Sequence, residues 1–101
     1  MRNKLFIFLV IAVITFACGG KNKNAGVVDG RATYKSYCIT CHGAKGNMGA
    51  GGAFNLRVSA LTLEERIAVI TNGRKAMTAF QKILSEEEIA AVAAYTLTLK
   101  E

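Results

Sequence analysis

Apolar residues are unevenly spread along this chain. Leu5 to Ile14 is an unbroken apolar run, preceded by Arg2 and Lys4 and followed by Thr15-Phe16-Ala17-Cys18. It has no amphipathic spacing, and its extent, about 13 residues when carried on to Ala17, falls short of the roughly 20 that a membrane span needs. A basic head, an apolar stretch and a small residue at its end describe a secretory signal peptide, expected over residues 1–17. Residues 18–27, mostly Gly, Lys and Asn, read as a flexible tether. A domain is expected over residues 28–101, where the apolar spacing turns helical. Asp29 can cap a helix running through Cys38, with Gly30, Tyr34, Cys38 and Cys41 on one face. Thr62-Leu63-Glu64-Glu65 is a capping box, opening a helix with Leu63, Ile67 and Ile70 as its apolar stripe and Gly73 as its stop. Ser85-Glu86-Glu87-Glu88 opens a last helix through Leu97, with acids at its positive end. Two stretches are irregular: Gly43–Gly52, with five glycines, and Arg74–Leu84. No alternating apolar pattern, repeat or proline occurs, so the fold class is all-α.

Composition changes this picture little. The chain has 13 basic and 7 acidic residues, a formal charge of +6. Loss of Arg2 and Lys4 with the signal peptide lowers this to about +4, and no Lys/Arg run is dense enough for nucleic acid. Cys18 ends the apolar run and precedes a polar stretch, which resembles a bacterial lipoprotein signal with Cys18 as the lipidated residue. Thr15 and Phe16 depart from that signal's usual residues.

The chemistry is concentrated in Cys38-Ile39-Thr40-Cys41-His42. Cys-x-x-Cys-His attaches a c-type haem, with thioethers from the two cysteines and an axial iron ligand from the histidine. A redox dithiol would need a βαβ context, which is absent. A zinc site would need four ligands, and the adjacent Cys41-His42 pair suits it poorly. The glycine loop lacks the Gly-Lys-Ser/Thr ending and preceding strand of a phosphate loop. His42 is the only histidine, so the second axial ligand is a methionine, something weaker, or nothing. Cleavage before Cys18 would leave about 84 residues, few for an independent core. A buried macrocycle would supply the missing apolar interior.

From about residue 28 to residue 100 the chain resembles a small class I, monohaem cytochrome c. Besides the haem motif, Gly30, Tyr34 and Cys38 match the first helix of that family, and Val92 with Tyr95 match its last. The resemblance implies three main helices wrapped around one covalent haem, with the first and last crossing where glycine lets two backbones approach. Asn72-Gly73-Arg74-Lys75-Ala76-Met77-Thr78-Ala79-Phe80 is similar to the family's distal loop, which makes Met77 the second axial ligand. Thr78 stands where that family has proline. Met48, six residues after His42, could barely return to the iron. A second proline is replaced within Gly52-Ala53-Phe54-Asn55-Leu56, where Phe54 or a neighbour would offer a carbonyl to His42. Arg57 could neutralise a haem propionate.

His/Met ligation leaves no open position on iron and favours electron transfer. The expected function is a single-electron carrier, not an enzyme, lipid-anchored at the cell envelope and docking redox proteins near Lys45, Lys75 and Lys82. No small-molecule substrate is expected. The alternatives are a haem-based gas sensor or small peroxidase with a labile distal ligand, and a subunit dedicated to one oxidase or reductase complex.

Overall fold

The computed structural model describes residues 27–100; the expected signal peptide, most of the tether and Cys18 lie outside the described residues. The chain forms α1 (Gly30–Tyr37), the short α2 (Ile39–His42), a 3₁₀ turn (Ala50–Gly52), α3 (Leu63–Asn72) and α4 (Glu86–Leu97). Among the described residues there is no strand, only an isolated bridge between Arg74 and Met77. The all-α expectation therefore holds.

Each long helix begins where its side chains can cap it. Asp29 accepts from the N–H groups of Arg31 and Ala32 at 3.0 and 3.2 Å. Thr62 Oγ1 accepts from Glu65 N–H while Glu65 Oε2 accepts from Thr62 N–H, at 3.2 and 2.7 Å. Ser85 and Glu88 repeat the exchange at 3.1 Å each way. Each cap satisfies backbone donors that a helix leaves unpaired, stabilising it by about 1 kcal/mol. The first helix stops at Tyr37, one residue earlier than expected. Cys38 is its C-cap and its N–H still donates to the Tyr34 carbonyl at 2.9 Å.

The core lies where α1 and α3 each pack against α4. Tyr34, Ile70, Leu84, Ile89, Val92 and Ala93 are buried there. α1 crosses α4 at Gly30, where a Cβ would overlap the Ala91 carbonyl, so glycine sets the closeness of the crossing. Tyr34 and Tyr95 fill the space beside it, with ring centroids 5.2 Å apart and planes tilted by 53°. The buried face of α3 is centred on Arg66 and Ile70; Leu63 and Ile67, expected on that stripe, pack at its margins. This crossing leaves one flank of the core open to a pocket.

Candidate functional site

One pocket, about 530 Å³ with its solvent-open mouth, lies against this flank. Its wall is largely apolar and includes Tyr34, Cys38, His42, Leu56, Ile70 and Met77. The topology thus brings together Cys38, His42 and Met77, separated by up to 39 positions in sequence. Cys41 is exposed on the short helix α2, and Cys38 is half-buried at its start. Met48 is 52 % exposed, and its N–H donates to the His42 carbonyl at 2.9 Å. Its backbone is therefore tied beside His42, and it is not part of the pocket wall.

His42 is buried and its Nδ1 lies 3.0 Å from the Phe54 carbonyl oxygen. A carbonyl only accepts, so Nδ1 carries the proton and Nε2 keeps its lone pair for a metal. Burial pushes the imidazole below its usual pKa, opposed by this hydrogen bond, and so favours the neutral, ligating form. The proline expected by resemblance is replaced by an Asn55-centred turn. Asn55 Oδ1 accepts from Arg57 N–H at 3.0 Å, and Leu56 N–H donates to Gly46 O at 2.8 Å. The loop that presents Phe54 is held at its far end by these bonds. Tyr34 Oη, buried in the core, donates to the carbonyl of Gly43, immediately after His42.

Met77 lines the same pocket from the loop after α3. Its N–H donates to Arg74 O at 2.9 Å, and Arg74 N–H donates back to Met77 O at 3.3 Å. Lys75 takes a positive φ of 53° in the tight turn between them. Beyond Met77, Phe80 N–H donates to Ile70 O at 2.9 Å, and the Phe80 ring meets Tyr37 edge-on at 6.2 Å. Gly73 ends α3 at φ 73°, ψ 167°, and a Cβ there would stand 2.7 Å from Met77 O. Glycine alone suits both the angle and the close approach.

These residues fit the expected haem on the structure's own terms. An imidazole with its outer nitrogen free, a thioether and a thiol face one apolar cavity, and no group of three or more His, Cys, Asp or Glu that could hold a metal ion occurs among the described residues. Burial, with the neighbouring Cys41 charge, pushes the Cys38 thiol up to about 11. Without haem it is therefore a protonated, unreactive thiol.

Arg66 escaped the sequence reading. It is 4 % exposed, lines the pocket, and lies among neutral oxygens. The available signal was its position, three residues after Leu63 and four before Ile70, on the apolar side of α3. Arg57, the expected propionate partner, is not among the residues that line the pocket.

The profile of the family described as cytochrome C oxidase, cbb3-type, subunit III, matches residues 25–95. The chain is 34 % identical to cytochrome c6 of Nostoc sp. strain PCC 7120, over 94 % of this chain and 92 % of that protein. Cytochrome c6 of Aphanizomenon flos-aquae is 38 % identical, over 72 % of this chain and 90 % of its own length. Among solved structures, the KustC0563 c-type cytochrome superposes with a TM-score of 0.64 at 28 % identity, over 73 % of this chain and all of that one.

Proposed function

The chain belongs to the cytochrome c family and carries one covalently bound haem c, and from that premise we propose that it is a single-electron carrier with His42 and Met77 as its axial ligands. Cys38 and Cys41 form the thioether links. The observation that supports the ligand pair is that His42, at the end of α2, and Met77, in the loop after α3, wall the same apolar pocket. Bound haem supplies a one-electron iron couple, whose potential a methionine ligand raises. The chain's part is to keep that couple rigid and largely dry. The Phe54 carbonyl holds the His42 ring in one tautomer. The Arg74 bridge holds the root of Met77, and the apolar wall excludes water.

The N-terminal features extend the reading. Export through residues 1–17, lipidation at Cys18, a tether to residue 27 and a domain from residue 28 would place the haem at the envelope side of a membrane, within reach of redox proteins. Among the described residues no helix is long and apolar enough to cross a membrane; in this reading the lipid on Cys18 is the anchor. A mature lipoprotein carries several acyl chains, enough for stable attachment, where one would be marginal. Lys45, Lys75 and Lys82 are all exposed and available to an acidic partner.

The deciding experiment is the absorption spectrum of the reduced holoprotein with and without carbon monoxide. A low-spin spectrum that carbon monoxide leaves unchanged is expected, together with a methionine–iron charge-transfer band in the oxidised form. Met77→Ala should lose that band and bind carbon monoxide. Carbon monoxide binding by the native protein would instead favour the gas sensor or small peroxidase. Cys18→Ser should release the protein from membranes. Stoichiometric co-purification with one oxidase or reductase would make it a dedicated subunit rather than a free carrier.

A further inference from the structure

Two arginines lie on the pocket wall, and their surroundings differ. Arg74 is exposed at the mouth, its guanidinium 5.9 Å from the centre of the Phe54 ring, so water screens its charge. Arg66 is buried. Its Nε donates to Leu61 O, Nη1 to Thr96 Oγ1 and Nη2 to Ser59 O, each at 3.0 Å. All three acceptors are neutral, and among the described residues no carboxylate pairs with it. Thr96 Oγ1 in turn donates to Ala93 O, which fixes the acceptor in place. The guanidinium is therefore clamped by α4 and by the loop before α3, and its charge meets no carboxylate among the described residues.

A buried cation without a counter-ion is among the costliest features a fold can carry. Burial alone depresses the Arg66 pKa, with no acidic neighbour opposing it. An apolar side chain at position 66 would be the simpler solution, so retaining the charge calls for an anion in the holoprotein. An arginine has five N–H donors, and three are used here, leaving two. Haem is the family's resident group, and when bound in the pocket that Arg66 lines it would bring two propionate carboxylates with it.

We propose that Arg66 is the internal counter-ion of a haem propionate and a positioning residue that sets the reduction potential of the iron. The clamp by Ser59, Leu61 and Thr96 prepays the ordering of the guanidinium, so the carboxylate meets a fixed donor face. The pair neutralises a propionate that would otherwise favour ferric iron, and so holds the potential up. The proposal needs only the haem of this family. It does not need Met77 to be the distal ligand, which the absorption spectrum of the same samples reads separately.

The test is the reduction potential of the holoprotein by spectroelectrochemistry, for the wild type, Arg66→Met and Arg66→Lys. Arg66→Met keeps the bulk and removes the charge, and is expected to lower the potential. Arg66→Lys keeps the charge without the three-way clamp, and is expected to stay nearer the wild type. Equal potentials in wild type and Arg66→Met, or equal shifts in both variants, would overturn the proposal and leave the arginine a strut. Nuclear Overhauser contacts in the reduced wild type decide the case even where a variant fails to mature. Contacts from the Arg66 guanidinium protons to a propionate methylene are expected, and contacts confined to Ser59, Leu61 and Thr96 overturn it.

Discussion

The two sides of the pocket secure their key residues by opposite means. On the His42 side the ring itself is held, by the Phe54 carbonyl at 3.0 Å. On the Met77 side the backbone is held, by the paired bonds to Arg74 at 2.9 and 3.3 Å. The side-chain chemistry dictates this difference. An imidazole has a second nitrogen that can donate, so a neighbour can fix its orientation. A thioether offers only a weak acceptor and three rotatable bonds, so a fold can fix no more than its root. The His42 side should therefore be robust and the Met77 side the one that yields.

The strongest test of that asymmetry is Gly73→Val. A valine there meets both the unfavourable backbone angle, φ 73° and ψ 167°, and the Met77 carbonyl 2.7 Å from its Cβ. The angle alone costs about 1–3 kcal/mol. Loss of the methionine charge-transfer band, gain of carbon monoxide binding and a lower melting temperature are expected, with haem still attached. A variant that retains a wild-type spectrum would show that the Met77 root does not depend on Gly73.

The corresponding perturbation on the His42 side is Tyr34→Phe. It strips a buried hydroxyl from the Gly43 carbonyl and should cost about 1–3 kcal/mol, measured by denaturant unfolding. The spectrum should stay low-spin, because the Phe54 contact is untouched. A pH series extends the test. Burial, the main cause, pushes the Tyr34 hydroxyl from 10.0 up to about 12, with lesser contributions from Cys38 while it is a free thiol and from Tyr95. Above pH 10 the unfolded chain gives up this proton while the folded chain keeps it, so the stability it supports is complete below pH 10 and declines toward pH 12. Tyr34→Phe should show a shallower alkaline loss than the wild type, and parallel curves would refute the assignment.

Much of this architecture could be read from residues, and what could not has a common cause. The caps at Asp29, Thr62 and Ser85 are local patterns, and each appears where it was expected. The carbonyl facing His42 was narrowed to Phe54 or a neighbour, and Phe54 is the one. The Arg74–Met77 bridge had no signature, because any two residues can exchange backbone bonds. Arg66 had one, a cation on an apolar face. Reading it as buried required knowing that Ser59, Leu61 and Thr96 would converge there from separate segments. Side chains acting locally are legible, whereas backbone pairing and long-range convergence are products of the tertiary fold.

The smallest expected effect bears on whether the missing proline weakens the Met77 side at all. Proline at position 78 would stiffen the chain after the ligand and reduce the entropy of the unfolded state, a gain of at most about 1 kcal/mol where the backbone already suits it. One feature makes the site suitable. Among the described residues the Thr78 N–H makes no backbone hydrogen bond, so proline removes none. If the Arg74 bridge already fixes the root of Met77, Thr78→Pro should raise the unfolding midpoint slightly and leave unchanged the rate at which an added ligand such as imidazole displaces Met77. A markedly slower displacement would show that the bridge holds the root only in part, and that Thr78 keeps the Met77 side mobile in the native protein.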